Sequence, residues 1–321
     1  MIDSRNGGAA LKRSIFIYNP LSGHTSLPGK LDYIIDRFMQ REILVQPYRI
    51  CCYEEDKLLD VLKENEFSSV IISGGDGTIN SVINTMLKND IRLPVGIIPS
   101  GTCNDFARSL DIPYDIKRCV DIMLAGNTAD IDVGLINDDM FFLNTCAGGM
   151  FVDVSFSTSS ELKKNFGPLA YYIKALGEVG NIKATRLKIK TESETINQEF
   201  FLFLILNGRH AGGFYNVIEK ADISDGLMDI LLIRNCPPIE LAGLLFKVLS
   251  NDYISDKNVM WLRTRECTIE GDKEAALSID GEKGGGLPIS VKFMNRILKV
   301  YVKYISPRKE QHGCRSILFI L

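Results

Sequence analysis

The chain has no apolar run long enough to cross a bilayer. Its most apolar stretch, Phe200 to Leu206, falls far short of the ~20 residues a spanning helix needs. The first thirteen residues, MIDSRNGGAALKR, hold no apolar core of the secretory type, so a cytoplasmic location is expected. There is no C-x-x-C pair among the eight scattered cysteines, and Cys51 and Cys52 are adjacent, which disfavours a bridge between them. Reduced thiols are expected, and cysteine ligation of a metal is not. A large net charge is missing too, because 37 basic and 40 acidic residues nearly cancel. A net charge of −3 does not call for nucleic acid, whose binders need a basic face, and gives no pull toward an anionic membrane, so membrane contact would need a local patch. Histidine is rare (His24, His210 and His312) and no G-x-S-x-G elbow occurs, which argues against histidine-based hydrolysis. Neither a G-x-x-x-x-G-K-[ST] loop nor a G-x-G-x-x-G string after the first strand is present. Internal repeats, low-complexity segments and Gly/Ser-rich linkers are also missing.

What is there is a chain of 321 residues, longer than one hydrophobic core usually supports, so two packed domains are expected. Ser14–Tyr18, Ser69–Ser73 and Val95–Pro99 are short apolar runs rich in β-branched residues, suited to parallel strands buried on both faces. Helical patterns fall between them, at Leu31–Gln40, Asp56–Glu64 and Ile79–Leu87. This alternation predicts a doubly wound α/β domain over residues 1–133, to which the chain end at about 305–321 can return. Beyond it, strand-like segments follow one another: Asp132–Ile136, Met140–Asn144, Thr185–Lys190, Glu199–Leu206, Met228–Ile233, Cys267–Glu270, Ala276–Ile279 and Ile297–Tyr304. Helical stretches interrupt them at Glu161–Val179 and Ile239–Leu249. A β-sandwich over residues 134–304 is the expectation.

Glycine-bearing turns follow all three early strands, at the sheet edge where open α/β folds bind ligands. Gly74-Gly75-Asp76-Gly77-Thr78 leads from a strand into a helix that includes Asn80. Its glycines let the backbone approach a ligand, and the amides at the helix start favour a phosphate. Asp76 can face a phosphate-bound metal or orient a nucleotide; an Asp–Gly corner without ligand is the plainer alternative. Pro99 to Arg108 (PSGTCNDFAR) repeats the arrangement, with Thr102, Asn104 and Asp105 as candidate contacts and helix capping as the competing role. Asn19-Pro20-Leu21-Ser22-Gly23 gives a third wall of the same pocket.

These strings, with Ser224–Asp229 (SDGLMD) and Asp280–Glu282 (DGE), occur in an order that resembles the diacylglycerol kinase catalytic-domain family, in its soluble bacterial branch. The resemblance runs from about residue 14 to 304; GGDGT alone also resembles NAD kinases. It implies an NAD kinase/diacylglycerol kinase-like fold with the cleft between the domains as active site, and an ATP-dependent kinase acting on a hydroxyl of diacylglycerol or a related lipid. The nucleotide would lie on Asn19, Pro20, Ser22, Gly23, Gly74, Gly75, Asp76, Gly77, Thr78, Asn80, Thr102, Asn104 and Asp105. Mg²⁺ would sit at Asp222, Asp225 and Leu227, partly through backbone oxygens. Glu282 would be the general base, with Asp280 and Asp76 beside it in the catalytic group and the choice between Asp280 and Glu282 open. The implied partners are ATP and a lipid at a membrane surface, with no nucleic acid; a homodimer stays open. The rival readings are an NAD-kinase-like enzyme on a soluble acceptor and a catalytically silent binding protein.

Overall fold

A computed structural model describes residues 11–20, 27–50, 55–149, 183–212, 216–249, 252–273 and 275–303. Outside these lie Leu21, Ser22, Gly23, His24, Cys51, Cys52, His312, the helix expected at Glu161–Val179 and the chain end at 305–321.

The first half is a parallel sheet. β1 (Lys12–Tyr18) lies between β2 (Ile43–Arg49) and β3 (Ser69–Gly74), and β4 (Val95–Pro99) follows β3. Both β3 and β4 are buried along their whole length, so both faces must be covered. The cover comes from α1 (Leu31–Met39), α2 (Glu55–Glu64), α3 (Asp76–Lys88) and α5 (Ile116–Ala125). A short helix, α4 (Asp105–Ser109), opens the path from β4 toward α5. One core holds the layers together, with Ile15, Phe16, Ile71, Ile83, Ile98, Phe106 and Val120 at its centre.

The second half is a two-layered β-sandwich. One layer contains β5 (Thr128–Ile136), β6 (Met140–Phe142), β8 (Thr185–Thr191), β12 (Glu266–Glu270) and β15 (Ile289–Tyr301). The other contains β7 (Thr145–Gly149), β10 (Met228–Arg234), β11 (Val259–Thr264), β13 (Leu277–Ile279) and β14 (Glu282–Lys283). β9 (Thr195–Leu206) serves both, pairing first with β8 and then with β7 and β10. Alternation along β10 shows the layering: Ile230 and Leu232 face the sandwich core, while Leu231 and Ile233 face outward beneath α6 (Pro238–Leu249).

The two halves share a strand. β15 pairs with β12 near its start, with β5 along most of its length, and with β4 at Val300 opposite Val95. A shift of register between Met294 and Leu298 re-aims it from one partner set to the other. β15 thus carries the described chain back to the parallel sheet, and the return expected of residues 305–321 lies outside the described residues. The division expected at residue 133 falls inside β5, which runs unbroken from Thr128 to Ile136.

Candidate active site

Three loops at the carboxyl ends of β1, β3 and β4 meet through the backbone. Asn19 N–H donates to Ser73 O at 3.1 Å, and Ser100 N–H donates to Gly74 O at 2.9 Å. Asn19 Nδ2 also donates to Thr78 Oγ1 at 3.3 Å, so the first loop touches the α3 N-terminus. Gly75 and Gly101 press backbone to backbone: a Cβ on Gly101 would stand 2.5 Å from Gly75 Cα. Glycine at both positions is a packing requirement, independent of any ligand. Gly75 is extended and precedes the first helical residue, Asp76, so the first-turn amides of α3, which have no intrahelical partner, begin where the loops meet.

Two of the expected contacts are spent on the loops themselves. Asn104 is fully buried in a left-handed conformation; its Oδ1 accepts from Gly101 N–H at 2.8 Å and its Nδ2 donates to Gly101 O at 2.7 Å. It folds the PSGT turn, one N–H and one lone pair of its amide being used on Gly101. Asp76 Oδ1 accepts from Phe106 N–H at 3.2 Å, at the start of α4. Loss of water pushes its carboxyl above the ordinary value, and backbone donors around residues 104–106 pull against that. Asp105 is buried, whereas Thr102 is exposed on the loop surface.

The DGE string forms a tight hairpin between β13 and β14. Asp280 and Gly281 both have positive φ, 48° and 87°, as a two-residue turn of the primed type requires. The Asp280 carboxylate does not face water. Oδ1 accepts from Asn144 N–H and Thr145 N–H, each at 2.8 Å; Oδ2 accepts from Leu143 N–H and Asn80 Nδ2, each at 2.7 Å. Burial pushes this carboxyl upward, and the four donors pull it down. Their arrangement fits the ionised form, because a proton on either oxygen would meet an N–H. Glu282, two residues on, is exposed and reaches the α3 N-terminus: a Cβ on Gly77 would stand 2.8 Å from its Oε1. The hairpin therefore separates its two acids, one locked as an anchor and one open to the cleft.

Several asparagines that the sequence reading passed over hold this arrangement. Asn84, one turn after Asn80, donates to Phe141 O at 2.8 Å and accepts from Phe141 N–H at 2.9 Å. Asn144 Nδ2 donates to His210 O, and its Oδ1 accepts from Ser109 Oγ. Asn207 Nδ2 ties Asp132 O to Leu143 O at 2.7 and 2.8 Å. The one available signal was the i, i+4 spacing of Asn80 and Asn84, on a helix that also carries Ser81, Thr85 and Lys88.

The SDGLMD string lies in a second acidic cluster. Gly226 has φ +76° and its N–H donates to Asp132 Oδ2; Asp132 Oδ1 accepts from Arg296 N–H at 2.7 Å. Asp225 Oδ1 accepts from Leu227 N–H at 2.9 Å, and its Oδ2 pairs with Arg263, whose Nε also lies 3.1 Å from Asp229. Burial, foremost, pushes the carboxyls of both Asp132 and Asp229 upward, and the charge of Asp225 adds to each. Asp222 Oδ1 accepts from the N–H and hydroxyl of Ser224. No three His, Cys, Asp or Glu side chains converge as a metal cage among the described residues, so any cation here would rely on Asp225, carbonyl oxygens and water. That donor set and the crowding of carboxylates fit a hard divalent cation, which keeps much of its water shell.

Comparison with known proteins agrees with this construction. Residues 13–136 match the family described as the diacylglycerol kinase catalytic domain, and residues 151–302 match the YegS C-terminal NAD kinase beta sandwich-like domain. A diacylglycerol kinase of Bacillus subtilis is 30% identical over 305 residues, spanning 94% of this chain and 99% of that protein. The chain belongs to the diacylglycerol kinase family. It is a phosphotransferase with an alcohol group as acceptor. A diacylglycerol kinase of Staphylococcus carnosus is 29% identical over 92% of this chain and 96% of its own length. In fold, the crystal structure of a putative diacylglycerol kinase from Bacillus anthracis superposes with a TM-score of 0.77, covering 92% of this chain and 99% of that one at 22% identity. The α/β domain with its C-terminal β-sandwich is the fold of this family.

Proposed function

We propose that the chain transfers the γ-phosphoryl group of ATP to a hydroxyl of diacylglycerol or a closely related lipid, with Glu282 as the general base. The observation that carries this reading is the placement of the Glu282 carboxylate against Gly77, at the mouth of the α3 N-terminus. Relatives named diacylglycerol kinase across nearly the whole chain support the acceptor class.

In this reading the triphosphate lies across the Gly75–Gly101 contact. The α3 amides face its oxygens, and Asn19 and Thr78 close the near wall. Thr102, exposed beside the loop, takes the nucleotide side. Phosphoryl transfer depends chiefly on alignment and on charge stabilisation at the phosphorus, which fixed backbone donors provide without reorganising. The acceptor hydroxyl enters from the sandwich side, gives its proton to Glu282 and attacks the γ-phosphorus in line as the bond to the bridging oxygen breaks and ADP leaves. Asp280 acts as a positioning residue: it fixes the hairpin so that Glu282 meets the cleft. Asp76 likewise holds the α4 start and acts through it. Mg²⁺ at the DG turn would be held by the Asp225 carboxylate with backbone oxygens of Asp222 and Leu227. A bound cation there supplies charge balance to the acidic cluster.

One assay tests the reaction. The protein is incubated with Mg-ATP and either dispersed diacylglycerol, monoacylglycerol and sphingoid base, or NAD, and transfer of labelled phosphate is followed. Phosphorylated lipid is expected; a phosphorylated NAD alone, or no transfer to any acceptor, overturns the reading. Glu282→Gln keeps the shape without the basicity, so turnover is expected to fall by about 10²–10⁴ with ATP affinity kept. Turnover near the parent's would remove the base from Glu282.

A further inference from the structure

The register shift in β15 opens a recess away from the nucleotide loops. Between Met294, opposite Val133, and Leu298, opposite Ile131, β15 carries Asn295, Arg296 and Ile297 where β5 has only Asp132. The extra chain bows out of the ladder, as a bulge does. Beside it lies a cavity of about 300 Å³, bounded on its other side by the end of α3 and the turn that leads into β4. That volume is at the lower end of what small-molecule sites occupy. Val300 stands opposite Val95, the first residue of β4, so the cavity lies at the amino end of the parallel strands. The nucleotide loops are at the carboxyl end.

The floor is apolar. Leu87 and Leu298 are buried there, with Ile91 and Ile297 half-buried beside them. The rim is cationic, with Arg92, Arg296 and Lys299 against one acid, Asp130. Two of these cations are lightly held. Lys299 pairs with Asp130 at 2.8 Å and Arg92 with Asp90 at 2.9 Å, but all four side chains are exposed, and such pairs contribute little. Arg296 spends its Nε on Ser224 O at 3.2 Å, which leaves its Nη groups without an acceptor among the described residues. An apolar floor under an excess of positive charge suits an anion with a short apolar body. Inorganic phosphate would satisfy the rim alone, and an uncharged alcohol the floor alone.

Arg296 also ties the cavity to the DG turn. Its N–H donates to Asp132 Oδ1 at 2.7 Å, and Asp132 Oδ2 accepts from Gly226 N–H. Its Nε bond to Ser224 O holds the same turn from the other side. Asn295 packs against Gly226, where an added Cβ would stand 2.6 Å from Asn295 Nδ2. An anion gripping the Nη groups would pin the bulge, and the turn with it.

We propose that this cavity binds a small amphipathic anion, a carboxylate or phosphate monoester on a short apolar body, and that the bound anion steadies the DG turn through Arg296. Binding is read without ATP or acceptor lipid, so its outcome is separate from that of the phosphoryl-transfer reading.

The test titrates the full chain by calorimetry with octyl phosphate, octanoate, octanol and inorganic phosphate, all below micelle-forming concentrations. Hydrogen exchange is followed at residues 87–93, 294–299 and 222–227. At least one of the two amphipathic anions should bind, and the tighter of them identifies the head group. Octanol and inorganic phosphate should each bind about tenfold more weakly, or not at all. Arg92→Ala combined with Lys299→Ala should weaken the anion by about tenfold or more and leave turnover with Mg-ATP and diacylglycerol at the parent's level. Arg296→Gly keeps the left-handed backbone and its N–H while removing the guanidinium, so the anion should no longer slow exchange at 222–227. No binding of either anion, or octanol bound equally well, overturns the proposal. Undiminished binding in the double variant overturns it too, by placing the anion elsewhere, as in the acceptor cleft. Exchange that slows at the cavity but not at 222–227 in the parent would remove the link to the DG turn.

Discussion

Gly77, in the first turn of α3, and Gly101, in the loop after β4, lie at one site, yet the atoms they would strike differ in kind, and so should the effects of replacing them. A methyl at Gly77 meets the flexible tip of Glu282, which can swing aside. Gly77→Ala should therefore melt within a few degrees of the parent while turnover drops by about 10²-fold, because the base is displaced by roughly an ångström. A methyl at Gly101 meets the Gly75 backbone at 2.5 Å and Asn104 Oδ1 at 2.9 Å, neither of which can move alone. Gly101→Ala should cost about 1–3 kcal/mol of stability and most of the ATP affinity. Thermal denaturation, ATP titration and kcat on both variants check this; equal behaviour would remove the distinction. Much of this was legible in the sequence, because GGDGT and PSGT are local strings whose glycines advertise close approach. The fate of Asn104 was not, since a buried amide folded onto its own turn and one aimed at a ligand look alike in a string of letters.

At the scale of elements, the DGE hairpin depends on one carboxylate reaching three consecutive amides, Leu143 to Thr145, from more than a hundred residues away. Asp280→Gly keeps the left-handed turn at no steric cost and removes the anchor alone. Asp280→Asn keeps the size but turns an amide donor toward N–H groups. Both should lose about 2–5 kcal/mol in denaturant titration, from two or more orphaned donors, and both should lose turnover with Glu282 still present. Turnover that survives in the folded glycine variant would show that Glu282 needs no such anchor. The DG turn was visible as a turn, but the amides it serves were not, because nothing local links residue 280 to residue 143. Elements were missed for similar reasons. β2 is a half-buried edge strand interrupted by Pro47, and β7 is TCAGG, with little β-branched character to mark it. β15 was read only from residue 297, because Arg296, at φ +53°, and the register shift break its alternation where it changes partners.

For the whole molecule, the shared strand predicts that the two halves unfold together. Trp261, the one tryptophan of the chain, sits on β11 in the sandwich with its indole N–H on Asp229, whereas five of the six described helices belong to the first half. Trp261 fluorescence thus reports on the sandwich, whereas far-ultraviolet dichroism at 222 nm also registers the five described helices of the first half. Their guanidinium midpoints should coincide, and two separated transitions would show that β15 does not couple the halves. The acidic cluster adds a second test at this scale. If a cation balances Asp225, EDTA should lower the melting temperature of the parent and leave Asp225→Ala unmoved, with added Mg²⁺ restoring the parent. Identical responses in both proteins would leave the cluster to Arg263 alone.

The ribosome meets this topology in an awkward order. β4 emerges early, but the strand that covers its outer edge at Val300 is translated roughly two hundred residues later, about 10–40 s at ordinary elongation rates. Throughout that interval the nascent first half presents a buried-type strand whose edge at Val95 lacks its partner. Such an edge can recruit a strand from another chain. Chaperone capture of the nascent chain, and aggregation of truncations that stop before residue 289, should be the cellular signature of having the last described strand finish the first sheet.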